Sequence, residues 1–98
     1  MSWLNDNDRV VFKALTILAI EKTLLDVGKP AYDKVISVLS KNYHCYLPEC
    51  YEHPEYLNEV LKKLFGNSHI EIVKSINKQM EEYSHREPVG RFLEIINK

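Results

Sequence analysis

Apolar residues recur along most of the chain at the three- and four-residue spacings that build one face of an α-helix. The clearest example runs from Leu57 to Phe65, where apolar side chains stand at offsets 0, 3, 4, 7 and 8. Gly66 predicts the end of this helix, because glycine readily takes the positive φ that stops a helix. Ser68 and Glu71 then predict a capping box for the next helix. Two helices joined by a short turn are therefore expected here.

The same spacing extends over the rest of the chain and predicts five helices. The first is expected to be the hub of the fold, because its apolar face is wide enough to be contacted from two sides. Gly28 is expected to end it, and no alternating strand pattern competes with the helical one. We therefore predict one all-α domain, a compact bundle of four to five helices. The predicted helices cover about residues 8–27, 30–42, 54–65, 69–83 and 88–97.

Two segments lie outside these helices. Residues 42 to 53 show no sustained helical period and contain Pro48, so we predict an ordered loop with one extra turn near Glu49. Trp3 precedes the first helix, where it is expected either to pack onto that helix or to stand exposed as an anchor. Gly90 lies inside the last predicted helix and costs it about 1 kcal/mol, so that helix must gain stability from docking.

Composition narrows the classes of function. The 98 residues include 13 basic and 14 acidic side chains, a net charge of −1, which offers no strong general attraction to nucleic acid or to anionic membranes. The chain has no apolar run near the roughly 20 residues of a membrane span, and no secretory signal at its N-terminus. Two cysteines are too few for a disulfide scaffold. We expect a cytoplasmic protein without a membrane partner.

A set of core and helix-capping positions follows a recognisable order along the chain: Leu24, Leu25, Gly28, Val35, Ile36, Leu39, His53, Pro54, Leu57, Leu61, Leu64, Phe65, Gly66, Ile70, Val73 and Ile76. Through these positions, residues from Ala14 to Met80, about two-thirds of the chain, resemble a family of small archaeal all-helical domains of unknown function, the Nitrosopumilus output domain type. Members of this family occur alone or appended to signalling proteins as output domains. The resemblance implies a helical fold and a place in signalling, and it carries over no catalytic residues.

Tyrosines are unusually dense in and beside the loop between the second and third helices. Tyrosine is common in protein interfaces because its ring packs while its hydroxyl stays hydrated. The chain shows no phosphate-binding, cofactor or catalytic motif, so we expect a non-enzymatic regulatory or protein-interaction module with no cofactor. Its partner is expected to be another protein or a second copy. The proposed contact residues, which could instead cover the core, are Tyr43, Tyr46, Tyr51 and Tyr56.

A helix-turn-helix that binds DNA is the first alternative, with the helix at 69–83 as its recognition helix. Three positions fit that motif poorly. Lys62 stands where a small residue is usual, and Asn67 and Ser75 stand where apolar residues are usual. The exposed face of the recognition helix would also be only weakly basic. The sequence alone therefore argues against nucleic acid as the partner.

A structural zinc loop at residues 44–53 is the second alternative, since thiolates and imidazoles are zinc ligands. The spacing of these candidates is unspecific, and the domain has enough apolar residues to fold without metal. A cysteine nucleophile or a carboxylate acid–base group could also be imagined here, but the glutamates are better explained by helix N-terminal placement and a Glu59–Lys63 pair. The candidate ligands are His44, Cys45, Cys50 and His53.

Overall fold

The computed structural model describes the backbone of residues 6–98 and the side chains of residues 9–98, so the expectation for Trp3 lies outside the described residues. Within that part of the chain there are five α-helices and no strand, which confirms the predicted all-α bundle. Three short 3-10 helices lie between the α-helices, at Leu47–Tyr51, Gly66–Ser68 and Glu81–Tyr83. The α-helices are α1 (Asp6–Val27), α2 (Lys29–Tyr43), α3 (Pro54–Phe65), α4 (His69–Gln79) and α5 (Glu87–Ile96).

The helix α1 is the hub of the described fold. It packs against α2, α4, α5 and the Leu47–Tyr51 3-10 helix, while α3 packs against α2 and α5. Ile20 and Leu24 of α1 are completely buried, as are Leu57 and Leu61 of α3. Burial of such side chains contributes about 1.5 to 3 kcal/mol each and holds the helices together. The Leu47–Tyr51 3-10 helix is part of the loop between α2 and α3. Because it packs on α1, this loop is held against the core.

Glycine and proline set most of the helix boundaries. Gly28 separates α1 from α2 with a φ of 151°, and Gly66 follows α3 with a φ of 56°. A proline occupies the first turn of three helices: Pro30 in α2, Pro54 in α3 and Pro88 in α5. Backbone N–H groups in a first turn have no hydrogen-bond partner within the helix, so the N–H that proline lacks is not missed there. Except for the end of α4, the helices begin and end within two residues of the predicted bounds.

The region around α4 corrects two predictions. The Ser68–Glu71 capping box is wrong, because Ser68 is in the helical conformation and its side chain makes no cap hydrogen bond. The imidazole of His69 instead lies 2.8 Å from the carbonyl oxygen of Gly66. The helix also ends at Gln79 rather than Tyr83, since a 3-10 turn follows Met80, whose side chain is buried.

The helix α1 is contacted along two flanks, because Glu21 accepts a hydrogen bond from Tyr32 of α2 and Thr23 lies against Ser75 of α4. Part of its apolar surface is nevertheless uncovered within the described fold. Val11, Leu18 and Leu25 are 51%, 59% and 46% exposed. No helix among residues 6–98 has the combined length and apolar character needed to cross a membrane.

Candidate functional site: the tyrosine-rich loop between α2 and α3

The loop between α2 and α3 is anchored at three points. Cys45, Leu47 and Cys50 are buried, with exposed fractions of 5%, 3% and 0%. The loop leaves α2 through His44, a non-glycine residue with a positive φ of 51°, whose N–H bonds to the carbonyl oxygen of Leu39. The predicted extra turn is present as the Leu47–Tyr51 3-10 helix. The backbone of this loop is therefore fixed by the core beneath it.

Tyr46 is the most exposed large apolar side chain of the described residues, at 73%. Its backbone is nevertheless held tightly. Its N–H donates to the Glu49 carboxylate at 2.6 Å, and its carbonyl oxygen accepts from the Glu49 N–H at 3.0 Å and from the Cys45 thiol at 3.3 Å. The structure thus presents an aromatic ring to solvent from a constrained backbone.

Three aromatic rings stack beside this loop. The rings of Tyr43 and Tyr56 have centroids 4.8 Å apart, and the His53 ring lies 4.7 Å from Tyr56 on an almost parallel plane. The Tyr43 hydroxyl donates to Glu59 at 2.6 Å. That hydrogen bond, with a smaller contribution from burial, raises the pKa of Tyr43 to about 12. Both tyrosines are half-buried, so they partly cover the core and partly face outward.

The Tyr51 side chain packs mainly against the core of the protein. Its ring stacks on buried Phe92 of α5, with centroids 6.1 Å apart. Its hydroxyl is buried and has no hydrogen-bond partner among the described residues, and burial raises the pKa of the phenol. Of the four predicted contact tyrosines, Tyr46 is exposed, Tyr43 and Tyr56 are in the stack, and Tyr51 is turned toward the core.

The four candidate zinc ligands do not converge. Among residues 9–98, no three His, Cys, Asp or Glu side chains are grouped as metal ligands. His44 is exposed, while the His53 ring stacks on Tyr56 and lies 3.3 Å from the Glu55 carboxylate. Cys45 and Cys50 are neighbours, and burial raises the pKa of both thiols. Burial therefore disfavours the thiolate form that a cysteine nucleophile needs.

The glutamates near the loop each have a different contact and do not form an acid–base group. Glu49 caps the loop backbone and Glu52 pairs with Lys13 of α1 at 3.0 Å. Glu55 lies beside His53, and Glu59 accepts from Tyr43 instead of pairing with Lys63 as predicted. Residues 42–61 contain these four glutamates and no lysine or arginine, while the exposed Lys41, Lys62 and Lys63 flank the segment.

The proposed recognition helix, α4, uses a polar residue to bind α1. The Ser75 hydroxyl lies 3.2 Å from that of Thr23, which explains a serine at a position where a helix-turn-helix usually has an apolar residue. Lys74 and Lys78 are exposed, and Glu71 is exposed beside them. No feature of α4 favours DNA binding over packing, and that alternative stays a prediction.

Sequence reasoning missed one candidate surface, the outward side of α1. Five of the seven exposed large apolar side chains of the described residues belong to α1. The signal was present in the sequence, because apolar residues surround this helix on nearly all sides. That pattern predicts a helix packed from two sides, but it does not show which of the apolar residues the neighbouring helices leave exposed. The five residues are Val10, Val11, Leu18, Leu25 and Val27.

The chain was also compared with known proteins. Neither models of protein families, nor curated proteins, nor solved structures gave a match. The family resemblance therefore stays an expectation from the residues quoted for it.

Proposed function

We propose that this chain is a non-enzymatic protein-interaction module whose contact surface is the loop between α2 and α3. The observation that carries the proposal is Tyr46, 73% exposed on a backbone fixed by Glu49. Exposed aromatic residues are frequent anchors of protein interfaces. A backbone already ordered before binding loses little conformational entropy when a partner arrives, which favours affinity.

The charge around the loop indicates the chemistry of the partner. Residues 42–61 contribute four negative charges, of which Glu52 is paired with Lys13, and the nearest lysines in the sequence, Lys41, Lys62 and Lys63, lie at the two ends of the segment. A lysine or arginine of a partner could contact these carboxylates and the faces of the tyrosine rings together. We therefore propose a basic protein segment as the partner of this surface.

A photo-crosslinking amino acid at position 46 tests this proposal in cells of the native host. It is expected to capture a protein whose crosslinked peptide is rich in lysine or arginine. The same amino acid at Lys34, an exposed position on α2, is the matched control and should not capture that protein. Capture of the same proteins from both positions would contradict the proposal.

Binding measurements on the captured partner then show how much the aromatic ring of Tyr46 contributes to the affinity. Tyr46→Phe keeps the ring and should bind within about twofold of the unsubstituted chain, while Tyr46→Ser should weaken binding at least tenfold, or about 1.4 kcal/mol. Binding should also weaken as salt is raised, because opposite charges attract less when they are screened. Equal binding by the serine variant would exclude Tyr46 as an anchor.

A further inference from the structure

Two thiols meet in the loop between α2 and α3. Cys45 and Cys50 both belong to the buried core, and a hydrogen bond joins their side chains. The Cys45 thiol donates its own hydrogen to the carbonyl oxygen of Tyr46 at 3.3 Å. The Cys50 thiol is therefore the donor between the two sulfur atoms. The two sulfur atoms are in contact within a segment of six residues.

The backbone around the two thiols holds them in this arrangement. The Cys45 N–H bonds to the carbonyl oxygen of Leu39 at 3.2 Å, which ties it to the end of α2. Cys50 lies inside the Leu47–Tyr51 3-10 helix, and the buried Leu47 side chain anchors the start of that helix. A disulfide needs its two Cβ atoms about 3.5 to 4.5 Å apart. Since the sulfur atoms already touch, only a small local shift is needed to reach that geometry.

We propose that Cys45 and Cys50 are a reversible redox pair that closes into a disulfide within the loop. The oxidant is a small-molecule disulfide such as oxidised glutathione. The Cys45 thiolate attacks one sulfur of the oxidant, which forms a mixed disulfide and releases one glutathione. Cys50 then attacks the Cys45 sulfur, which breaks the mixed disulfide and releases the second glutathione. The two protein thiols lose two electrons and two protons, and the oxidant gains them as two glutathione thiols.

Exposure assigns the order of the two steps. Cys45 is 5% exposed and Cys50 is 0% exposed, so a small molecule reaches Cys45 first. The hydrogen bond from Cys50 also favours the thiolate on Cys45. Cys50 is then beside the mixed disulfide and reacts within the same chain. Because burial raises the pKa of both thiols, we expect the exchange to take hours, at the slow end of the usual range.

The disulfide would preserve the conformation that presents Tyr46. It removes the thiol hydrogen that Cys45 donates to the Tyr46 carbonyl oxygen, but that oxygen keeps its hydrogen bond from the Glu49 N–H at 3.0 Å. The folded chain holds the two sulfur atoms in contact and the unfolded chain does not, so closing the disulfide favours the folded state. This inference does not depend on whether Tyr46 binds a partner.

Mass spectrometry of the folded chain after equilibration with oxidised glutathione tests the pair. The unsubstituted chain should lose the mass of two hydrogen atoms without forming dimers, and dithiothreitol should restore the original mass. The chain contains two cysteines, so this loss identifies the link between Cys45 and Cys50. Unmodified thiols, stable glutathione adducts or disulfide-linked dimers as the main product would each overturn the proposal.

Serine variants test the order of the steps. Cys50→Ser should keep one glutathione on Cys45, because the thiol that resolves the mixed disulfide is missing. Cys45→Ser should stay unmodified, because Cys50 is buried. Circular dichroism would show that both variants are folded. A glutathione adduct on folded Cys45→Ser as fast as on Cys50→Ser would overturn the assigned order.

The disulfide equilibrium of the unsubstituted chain tests whether the fold positions the thiols. It is measured over a series of ratios of reduced to oxidised glutathione, once in buffer and once in urea that unfolds the chain. The equilibrium constant should be larger in the folded chain by about tenfold or more, since the unfolded chain must first bring the thiols together. The oxidised chain should accordingly unfold at a higher urea concentration than the reduced chain. An equal or smaller constant in the folded chain would mean that the structure does not favour the disulfide, and would overturn the proposal.

Discussion

The side-chain amide of Asn58 donates a hydrogen bond to the backbone carbonyl oxygen of Ile96, 3.2 Å away, and so joins α3 to the C-terminal end of α5. The same nitrogen lies 3.3 Å from the carbonyl oxygen of Ile95. Carbonyl groups in the last turn of a helix have no donor within the helix. Asn58 is only 9% exposed, so it supplies a donor where water has little access.

Asn58→Asp should destabilise the protein more than its small change in volume suggests. The new carboxylate has no proton to donate at neutral pH and would face carbonyl oxygens at the negative end of the α5 dipole. We expect the free energy of unfolding to fall by about 2 to 4 kcal/mol, measured by urea denaturation. Asn67→Asp, at an exposed position, is the control and should change it by less than about 0.5 kcal/mol. Similar losses for both variants would contradict this explanation.

Gly90→Ala should also destabilise the protein, although alanine is a better helix former. A Cβ atom at Gly90 would lie 2.8 Å from the carbonyl oxygen of Ser84, a backbone atom of the preceding turn. We expect a loss of about 1 to 3 kcal/mol from this steric conflict. Ser40→Ala, in an exposed position of α2, should instead be neutral or stabilise by up to about 0.5 kcal/mol. Thermal denaturation of both variants shows whether each substitution lowers or raises stability. A Gly90→Ala variant more stable than the unsubstituted chain would refute the steric conflict with Ser84.

Thr23 and Ser75 should show coupled effects on stability. The Thr23 hydroxyl lies 3.2 Å from that of Ser75 and accepts from the Gln79 amide at 2.7 Å. Thr23→Val would remove this partner at a buried site and cost about 1 to 3 kcal/mol. Ser75→Ala alone breaks the same contact between the two hydroxyl groups, so the double variant should lose about 1 kcal/mol less than the sum of the single variants. Additive losses in a double-mutant cycle would show that the hydroxyl groups do not interact.

Tyr43 should titrate at higher pH than an ordinary tyrosine and make stability depend on alkaline pH. Its pKa rises from 10.0 to about 12 because its hydroxyl donates to Glu59 and is partly buried. Since the folded pKa exceeds the unfolded value, the stabilisation is complete below pH 10 and is lost as pH rises from 10 to about 12. Glu59→Gln removes the negative charge and should lower the pKa of Tyr43.

Ultraviolet absorbance of the phenolate measures this titration in the folded protein. The difference between the Glu59→Gln variant and the unsubstituted chain isolates Tyr43 from the other tyrosines. Glu94→Gln, an exposed glutamate of α5, is the control and should leave the curve unchanged. Identical curves for all three proteins would mean that Glu59 does not set the pKa of Tyr43.

Local signals in the sequence were sufficient for most helix boundaries. Gly28, Gly66 and the prolines in the first turns act on the backbone within a few residues, so their effects did not depend on the rest of the fold. The capping box at Ser68 failed for a related reason. The chain after Gly66 continues in a 3-10 helix, and a residue already in helical conformation cannot act as an N-cap.

The candidate loop was located by its composition, but the roles of its tyrosines could not be assigned. An irregular segment has no period from which exposure can be calculated. Tyr46 faces solvent and Tyr51 packs on Phe92 because Cys45, Leu47 and Cys50 fix the path of the backbone between them. Likewise, the reason for a glycine at position 90 is its approach to Ser84, six residues earlier in the chain but brought close by a turn.

The sequence by itself determined that this protein is a bundle of helices, because helical periodicity and helix stops are properties of neighbouring residues. Only the tertiary structure decided which apolar residues of α1 are covered. Ile20 and Leu18 are both apolar and two positions apart, yet one is completely buried and the other is 59% exposed. Burial depends on where α2, α4 and α5 pack, and that arrangement is a property of the whole fold.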